Sequence, residues 1–274
     1  MNGAHDFTTH LNGQGYADRT VSEYSKWIRR LARWCLLHNL QLDTLQPHQL
    51  REWADTTLPP GRDSRKQAHA SCRHYYTWIG RTDRPWDAIR VPRKRRGSPN
   101  PLAEPDRILL RDAAVLTSGR PGLAVLGLLQ TGARPSEVAR WRWDGVDLSA
   151  SRIRFWRPKV SDWDTVPLRP LLATELERQQ PAWQEGFVFV GDRGRPHVTE
   201  QTIWQWCRHV AHIAGVQDVT PRRLRATAVT RVLNVTSRLD LAADLAGHVD
   251  VNTTKNYYRG VDWDRLAEAS AALD

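Results

Sequence analysis

The sequence predicts a mainly α-helical protein with one small antiparallel β-sheet, divided into two domains. Three observations predict it. Apolar residues recur at helical spacing along most of the chain. Only three short runs, residues 152–156, 165–168 and 187–190, read as strands. A basic, proline- and glycine-rich stretch at residues 91–101 separates a compact N-terminal part from a longer C-terminal one. At 274 residues the chain is long enough to bury two cores.

The elements follow in order. Residues 1–18 are polar and glycine-containing and are expected to be partly disordered. Thr20 with Glu23 three residues later reads as a capping box. Behind it Tyr24, Trp27, Ile28, Leu31 and Cys35 form one apolar stripe, with Arg29, Arg30 and Arg33 outside it. A second helix is expected over residues 47–55, with Pro47 in its first turn. A third, from about residue 64, buries Ala68, Cys72, Tyr75, Tyr76 and Ile79, and leaves Arg65, Lys66 and Arg73 for solvent or a polyanion. Residues 1–90 therefore form a helical domain with basic outer faces. In the linker, Arg90, Arg93, Lys94, Arg95 and Arg96 sit among prolines that forbid helix. It is either a basic strap along a phosphate backbone or a solvated hinge. Residues 102–274 form the second domain. Helices are expected near 104–116 and 122–130, then a break at Thr131-Gly132, then a new helix with Pro135 in its first turn and Glu137 behind it. The three strands follow in part, and helices return near 170–178, 199–214, 222–234, 239–246 and 263–272. Most of the thirteen tryptophans lie on these apolar faces and are expected in the core.

Composition narrows the function. The chain carries 40 basic and 30 acidic side chains, a net charge of +10, which points to a polyanionic partner, most often nucleic acid. Residues 1–100 hold 17 Lys and Arg against 9 Asp and Glu, whereas the remainder holds 23 against 21, so the stronger electrostatic grip lies in the first third. Thirty-five of the basic residues are arginine, which binds phosphate bidentately. Lys159 is the only lysine between Lys94 and Lys255. Cys35, Cys72 and Cys207 are odd in number and irregularly spaced, which predicts reduced core thiols in a cytoplasmic protein. His209 and His212 share a helix face without a carboxylate beside them in sequence, so no metal and no cofactor are expected. No signal peptide is expected, and the apolar run at 123–129 is too short for a bilayer, so no membrane partner is expected.

Four segments carry the chemistry: Arg134 in TGARPSEV, Lys159 in KVSDWDTVPL, Arg225 in TPRRLRATAVT, and LAGHVDVNTTKNYY, which sets His248 nine residues ahead of Tyr257. Each alone has an ordinary structural explanation. Arg134 suits a helix start, Lys159 a hairpin, His248 a helix end and Tyr257 a core. In this order and spacing they resemble the tyrosine recombinases, also called phage integrases, and the resemblance covers essentially the whole chain. It implies a helical core-binding (SAM-like) domain in the first domain and a recombinase catalytic domain in the second. No arm-binding domain is expected ahead of them, as in a short integrase or a Xer-type recombinase.

The resemblance also implies roles. Arg134 and Arg225 would clamp the non-bridging oxygens of a phosphodiester, where charge builds in the transition state. Lys159 would protonate the leaving 5′-oxygen, His248 would hydrogen-bond the phosphate, and Tyr257 would attack it and store the bond energy as a phosphotyrosine ester. Glu137 would orient its neighbours, or serve as a carboxylate favoured at a helix start. One position departs from the family. A histidine usually stands three residues before the second arginine, and here that residue is Arg222, which cannot accept a proton in a protein. Tyr258 beside Tyr257 is the other candidate nucleophile, and the offset from His248 favours Tyr257. The implied function is site-specific recombination of double-stranded DNA through a Holliday junction, by four protomers on two sites. An accessory host protein or directionality factor, and nucleoid association, would fit the same picture. DNA contacts are expected from Arg65, Lys66, Arg93, Lys94, Arg95 and Arg96. The rivals are a type IB topoisomerase-like enzyme, a Xer-type resolvase instead of a phage integrase, and a DNA-binding regulator with weak or silent catalysis, which Arg222 would favour.

Overall fold

The computed structural model describes residues 2–59, 61–93, 100–182 and 185–247, with residues 2–5 as backbone alone. It is mainly helical and divides into two compact units, Met1–Arg95 and Arg96–Asp274.

The first unit contains α1 (Asn2–Gly13), α2 (Asp18–Leu37), α3 (Pro47–Thr57) and α4 (Arg62–Trp78), with 3-10 turns at Leu42–Thr44 and Pro85–Ala88. The stripe on α2 is buried at Trp27, Ile28, Leu31 and Cys35, while Arg29, Arg30 and Arg33 remain exposed. Ala68, Cys72, Tyr75 and Tyr76 of α4 pack in the same core. The hydroxyl of Tyr75 donates to Asp43 and that of Tyr76 to the Leu42 carbonyl at 2.9 Å, so the polar tips of two buried rings are satisfied at one 3-10 turn.

Two sequence expectations do not hold here. Residues 2–13 are a helix, because Phe7 and Leu11, one turn apart, are buried in the core. Phe7 meets Tyr75 edge-on at 5.3 Å and Trp78 at 5.6 Å between ring centroids. Two apolar side chains among polar ones are enough once a tertiary partner exists. Thr20 is not an N-cap either. The helix opens at Asp18 after Ala17, and the backbone amides of Thr20 and Val21 donate to the Ala17 carbonyl. Asp18 in the first turn instead offsets the exposed amide dipoles.

The second unit contains α5 (Glu104–Thr117), α6 (Gly119–Thr131), α7 (Pro135–Val138), β1 (Val146–Asp147), β2 (Arg152–Arg157), β3 (Asp162–Pro167), α8 (Pro170–Gln179), α9 (Glu200–Ala214), α10 (Pro221–Thr236) and α11 (Leu239–Ala246). The longest apolar run of the chain becomes the hub: residues 122–128 of α6 are all buried, and α5, α8, α9 and α10 pack around them. Thr199 and Thr220 cap α9 and α10, each side chain accepting a backbone N–H at 3.2 Å, and Pro221 fills the first helical position of α10. No described helix is long and apolar enough to cross a membrane.

The sheet is antiparallel in the order β1-β2-β3, with Ile153 opposite Val166 and Arg157 opposite Asp162. Along β2 the side chains alternate. Ile153 and Phe155 point into the core, and Arg152, Arg154 and Trp156 point out. The strand runs one residue beyond its expected end, and the same alternation turns Arg157 inward. Residues 187–190 are not a strand but make two isolated bridges, Phe187 with Arg142 and Val190 with His197. Val188 and Phe189 are buried, and a short apolar run looks the same in a buried loop as in a strand. All three cysteines are free and buried, and burial pushes the Cys35 thiol up to about 11 and that of Cys207 to about 12.

Candidate active site

The site begins where α6 stops. Gly132 takes the left-handed conformation at φ +63°, which a residue with a Cβ adopts only at a cost, and it turns the chain so that Arg134 precedes α7. Pro135 then starts the helix. Glu137, three residues after Arg134, folds back onto it. One carboxylate oxygen accepts the Arg134 backbone N–H at 2.7 Å, and the other accepts its Nη1 at 2.6 Å. Glu137 is fully buried, and the Arg134 side chain is 21 % exposed. Among the described residues, Nε and Nη2 of Arg134 make no hydrogen bond, so those donors can meet an oxyanion.

Arg225 lies in the second turn of α10 and reaches the same place from the other side. Its Nη1 donates to the Gly132 carbonyl at 2.6 Å and its Nη2 to the Ala246 carbonyl. One guanidinium therefore joins the turn before Arg134 to the last residue of α11. Gly247 follows in the left-handed conformation at φ +53°, and its N–H donates back to the Asp244 carbonyl at 2.8 Å. His248 is the next residue in sequence.

Lys159 sits in the four-residue turn that joins β2 to β3, exposed, and makes no ion pair among the described residues. Two residues before it, Arg157 is 1 % exposed. Its Nη1 donates to Glu137 at 3.3 Å, its Nε to Asp164 across the hairpin, and its Nη2 to the Leu245 carbonyl at 3.1 Å. The charges thus alternate as Arg134, Glu137, Arg157 and Asp164, two of each sign, and the partly exposed Arg134 and Asp164 flank the fully buried Glu137 and Arg157, which is what allows that inner pair to be buried. Sequence reasoning missed Arg157 and Asp164. The signal was present, because Ile153 and Phe155 set the inward face and residue 157 continues that period of two.

The remaining expected residues are less concentrated. Arg222 is exposed in the first turn of α10, one turn ahead of Arg225. His248 and Tyr257 lie outside the described residues, as do Tyr258, the 263–272 helix, Lys94, Arg95 and Arg96. In the first unit Lys66 and Arg93 are exposed. Arg65, expected to face solvent or a polyanion, is instead held by Asp55 at 3.0 Å with its side chain 14 % exposed. Its partner lies on α3, beyond the reach of a periodicity argument on α4.

Chemically, the second unit can present two oriented guanidiniums near the point where the chain leaves α11, and Arg157 ties the hairpin that bears the exposed Lys159 to that same helix end. That is an arrangement for an oxyanion. Comparisons with known proteins place the chain in a family. The tyrosine recombinase XerA of Thermococcus kodakarensis is 25% identical over 98% of this chain and 94% of its own length. The tyrosine recombinase XerD of Proteus mirabilis is 26% identical over 89% of this chain and 83% of its own. Among solved structures, the Tn1549 transposon integrase in complex with transposon right end DNA superposes with a TM-score of 0.74 at 15% identity, covering 99% of each chain. The XerH site-specific recombinase bound to its difH substrate superposes with a TM-score of 0.69 at 14% identity, over 93% of this chain and 79% of its own. Residues 109–262, more than half of the chain, match the phage integrase family, and the protein belongs to that family.

Proposed function

We infer that the protein is a tyrosine site-specific recombinase that cuts and rejoins DNA strands without metal or ATP. The observation that carries this is the convergence of Arg134 and Arg225 on the Gly132 turn, beside the end of α11 and the hairpin that bears Lys159. Tyr257 gives its phenolic proton to His248 or water and attacks the scissile phosphorus, forming a 3′-phosphotyrosine bond and breaking the bond to the 5′-oxygen. Lys159 supplies the proton that leaves with that oxygen. Arg134, Arg225 and His248 hold the non-bridging oxygens as their charge grows. Attack by a 5′-hydroxyl of the other duplex reverses the step and yields a Holliday junction. Residues 1–90 serve as the core-binding domain, with Lys66, and Arg93 of the linker that follows, toward the DNA backbone. Residues 91–101 form the basic linker and residues 102–274 the catalytic domain. Four protomers assemble on two sites, and the C-terminal tail docks between protomers, so deleting residues 262–274 weakens synapsis.

Covalent capture tests this. The protein is mixed with fragmented DNA of its source replicon and host and denatured, and the DNA that stays attached is sequenced. Discrete sites that vanish with Tyr257→Phe and persist with Tyr258→Phe are expected. The position of those sites also separates a phage-type integrase from a Xer-type resolvase. Relaxation of supercoils without strand exchange would indicate a topoisomerase-like enzyme. Salt-sensitive DNA binding with no covalent attachment would refute the enzymatic reading in favour of a silent DNA-binding regulator. Arg222 at the usual histidine position is the observation that favours that second reading.

A further inference from the structure

We propose that Arg157 is a positioning residue for strand cleavage. Its buried guanidinium locks the phosphate clamp, the Lys159 hairpin and the end of α11 into one register. The proposal rests on the recombinase reading above and adds a residue outside its catalytic set.

Three bonds carry it, and each goes to a different part of the site. Through Glu137, Arg157 reaches Arg134, because that one carboxylate serves both guanidiniums. Through Asp164 it ties β2 to β3 just below the turn that holds Lys159. Through the Leu245 carbonyl it caps α11 one residue before the carbonyl that Arg225 caps. Two guanidiniums therefore occupy the C-terminal carbonyls of one short helix, where a cation is favoured and where the chain departs toward His248. The bonded residues lie 20 positions before Arg157, 7 after it and 88 after it, so no local element could hold them together.

Gly247 supplies an independent sign that the fit is close. A Cβ there would stand 2.6 Å from Cζ, Nε and Nη1 of Arg157. The guanidinium is bonded through all three nitrogens and fully enclosed, so it cannot swing aside as a surface arginine would. Arg157 thus fills the space under the turn that launches the nucleophile-bearing segment. A lysine could keep the charge but not the three-way fork.

The experiment uses the full chain with Arg157→Met and Arg157→Lys, and measures single-turnover covalent cleavage of a captured site. One substrate is ordinary DNA and the other carries sulfur in place of the bridging 5′-oxygen, whose leaving thiolate needs no proton. Misplacement by about 1 Å costs roughly 100-fold in rate, so Arg157→Met should fall by about that factor with DNA affinity unchanged. Arg157→Lys should recover only part of the loss. The sulfur substrate should restore Lys159→Ala but not Arg157→Met, and an unchanged circular dichroism spectrum and DNA affinity at the assay temperature separate this from a loss of general stability. Cleavage by Arg157→Met within about threefold of the unaltered protein, or full rescue by sulfur, would overturn the proposal.

If Arg157→Met does not fold, Gly247→Ala decides the matter. It keeps every donor but crowds the guanidinium, and it should reproduce the unrescued loss. Full activity in that variant would equally overturn the proposal. Should the unaltered protein capture no DNA, the recombinase reading fails while this one stays testable. Amide exchange at residue 247 should then quicken in Gly247→Ala and in any Arg157 variant that folds, and unchanged exchange refutes the lock.

Discussion

Glu137→Gln removes the charge at the centre of the buried network and nearly nothing else, since glutamine has the same shape. The carboxylate is fully buried and accepts three hydrogen bonds, from the Arg134 backbone, the Arg134 side chain and Arg157. Neutralising it leaves Arg157 enclosed with Asp164 as its one anionic neighbour among the described residues, and turns an amide N–H toward a guanidinium. Breaking a buried pair by removing one partner costs about 3–5 kcal/mol. Arg134 is partly exposed and can be rehydrated, which puts the loss near the lower end, about 3 kcal/mol. For a unit of this size each kcal/mol lowers Tm by about 2–4 °C, so a fall of about 6–12 °C is expected. Thermal unfolding followed by circular dichroism measures it, and the covalent-capture assay should show slower cleavage at temperatures where the variant remains folded. A double variant, Glu137→Gln with Arg157→Met, should lose less than the sum of the two single losses, because removing both members removes an unpaired charge. A Tm within about 1 °C of the unaltered protein, or strictly additive losses, would refute the claim that these charges support one another.

The remaining predictions concern other parts of the chain. Glu104, at the start of α5, is paired with Arg107 at 2.6 Å and with Arg231 of α10 at 2.8 Å, and these hydrogen bonds hold its carboxyl at about 2, below the usual 4.5. A depressed folded-state value means the pair stabilises fully above pH 4.5, and the effect fades as pH falls toward 2. Compared with Glu104→Gln, the unaltered protein should be more stable by no more than about 1 kcal/mol near neutrality, since the pair is exposed, and denaturant titrations should show the gap closing across that window. Arg222→His places a group titrating near pH 6.5 at the usual histidine position, so cleavage should acquire a pH dependence there. An unchanged rate and profile would remove this position from the proton path. Gly127→Ala should destabilise the second unit by about 1–3 kcal/mol in denaturant melts, since small-to-large changes in a packed core cost that much. Its Cβ would stand 2.7 Å from the fully buried Trp141 ring.

What could be read in advance was whatever repeats within one or two turns or is carried by a short motif. The stripe on α2, the apolar α6, the break at Gly132 and the ordered motifs around Arg134, Lys159, Arg225, His248 and Tyr257 are local properties of the chain. The α1 helix was not legible, because its two core residues have meaning only once Tyr75 and Trp78 stand opposite them. Residues 187–190 were misread as a strand because burial alone accounts for their apolar character.

The site divides along the same line. The amino-acid sequence by itself determined which residue types are available to a phosphodiester and in what order. Only the tertiary structure decided that Arg225 meets the Gly132 turn from 93 residues away, and that Arg157, to the eye a strand-end arginine, lies buried between Glu137, Asp164 and Leu245. The physical reason is range. Periodicity records which face of an element is buried, but a buried charge is tolerated only where partners from distant segments converge, and that convergence exists only in the folded chain.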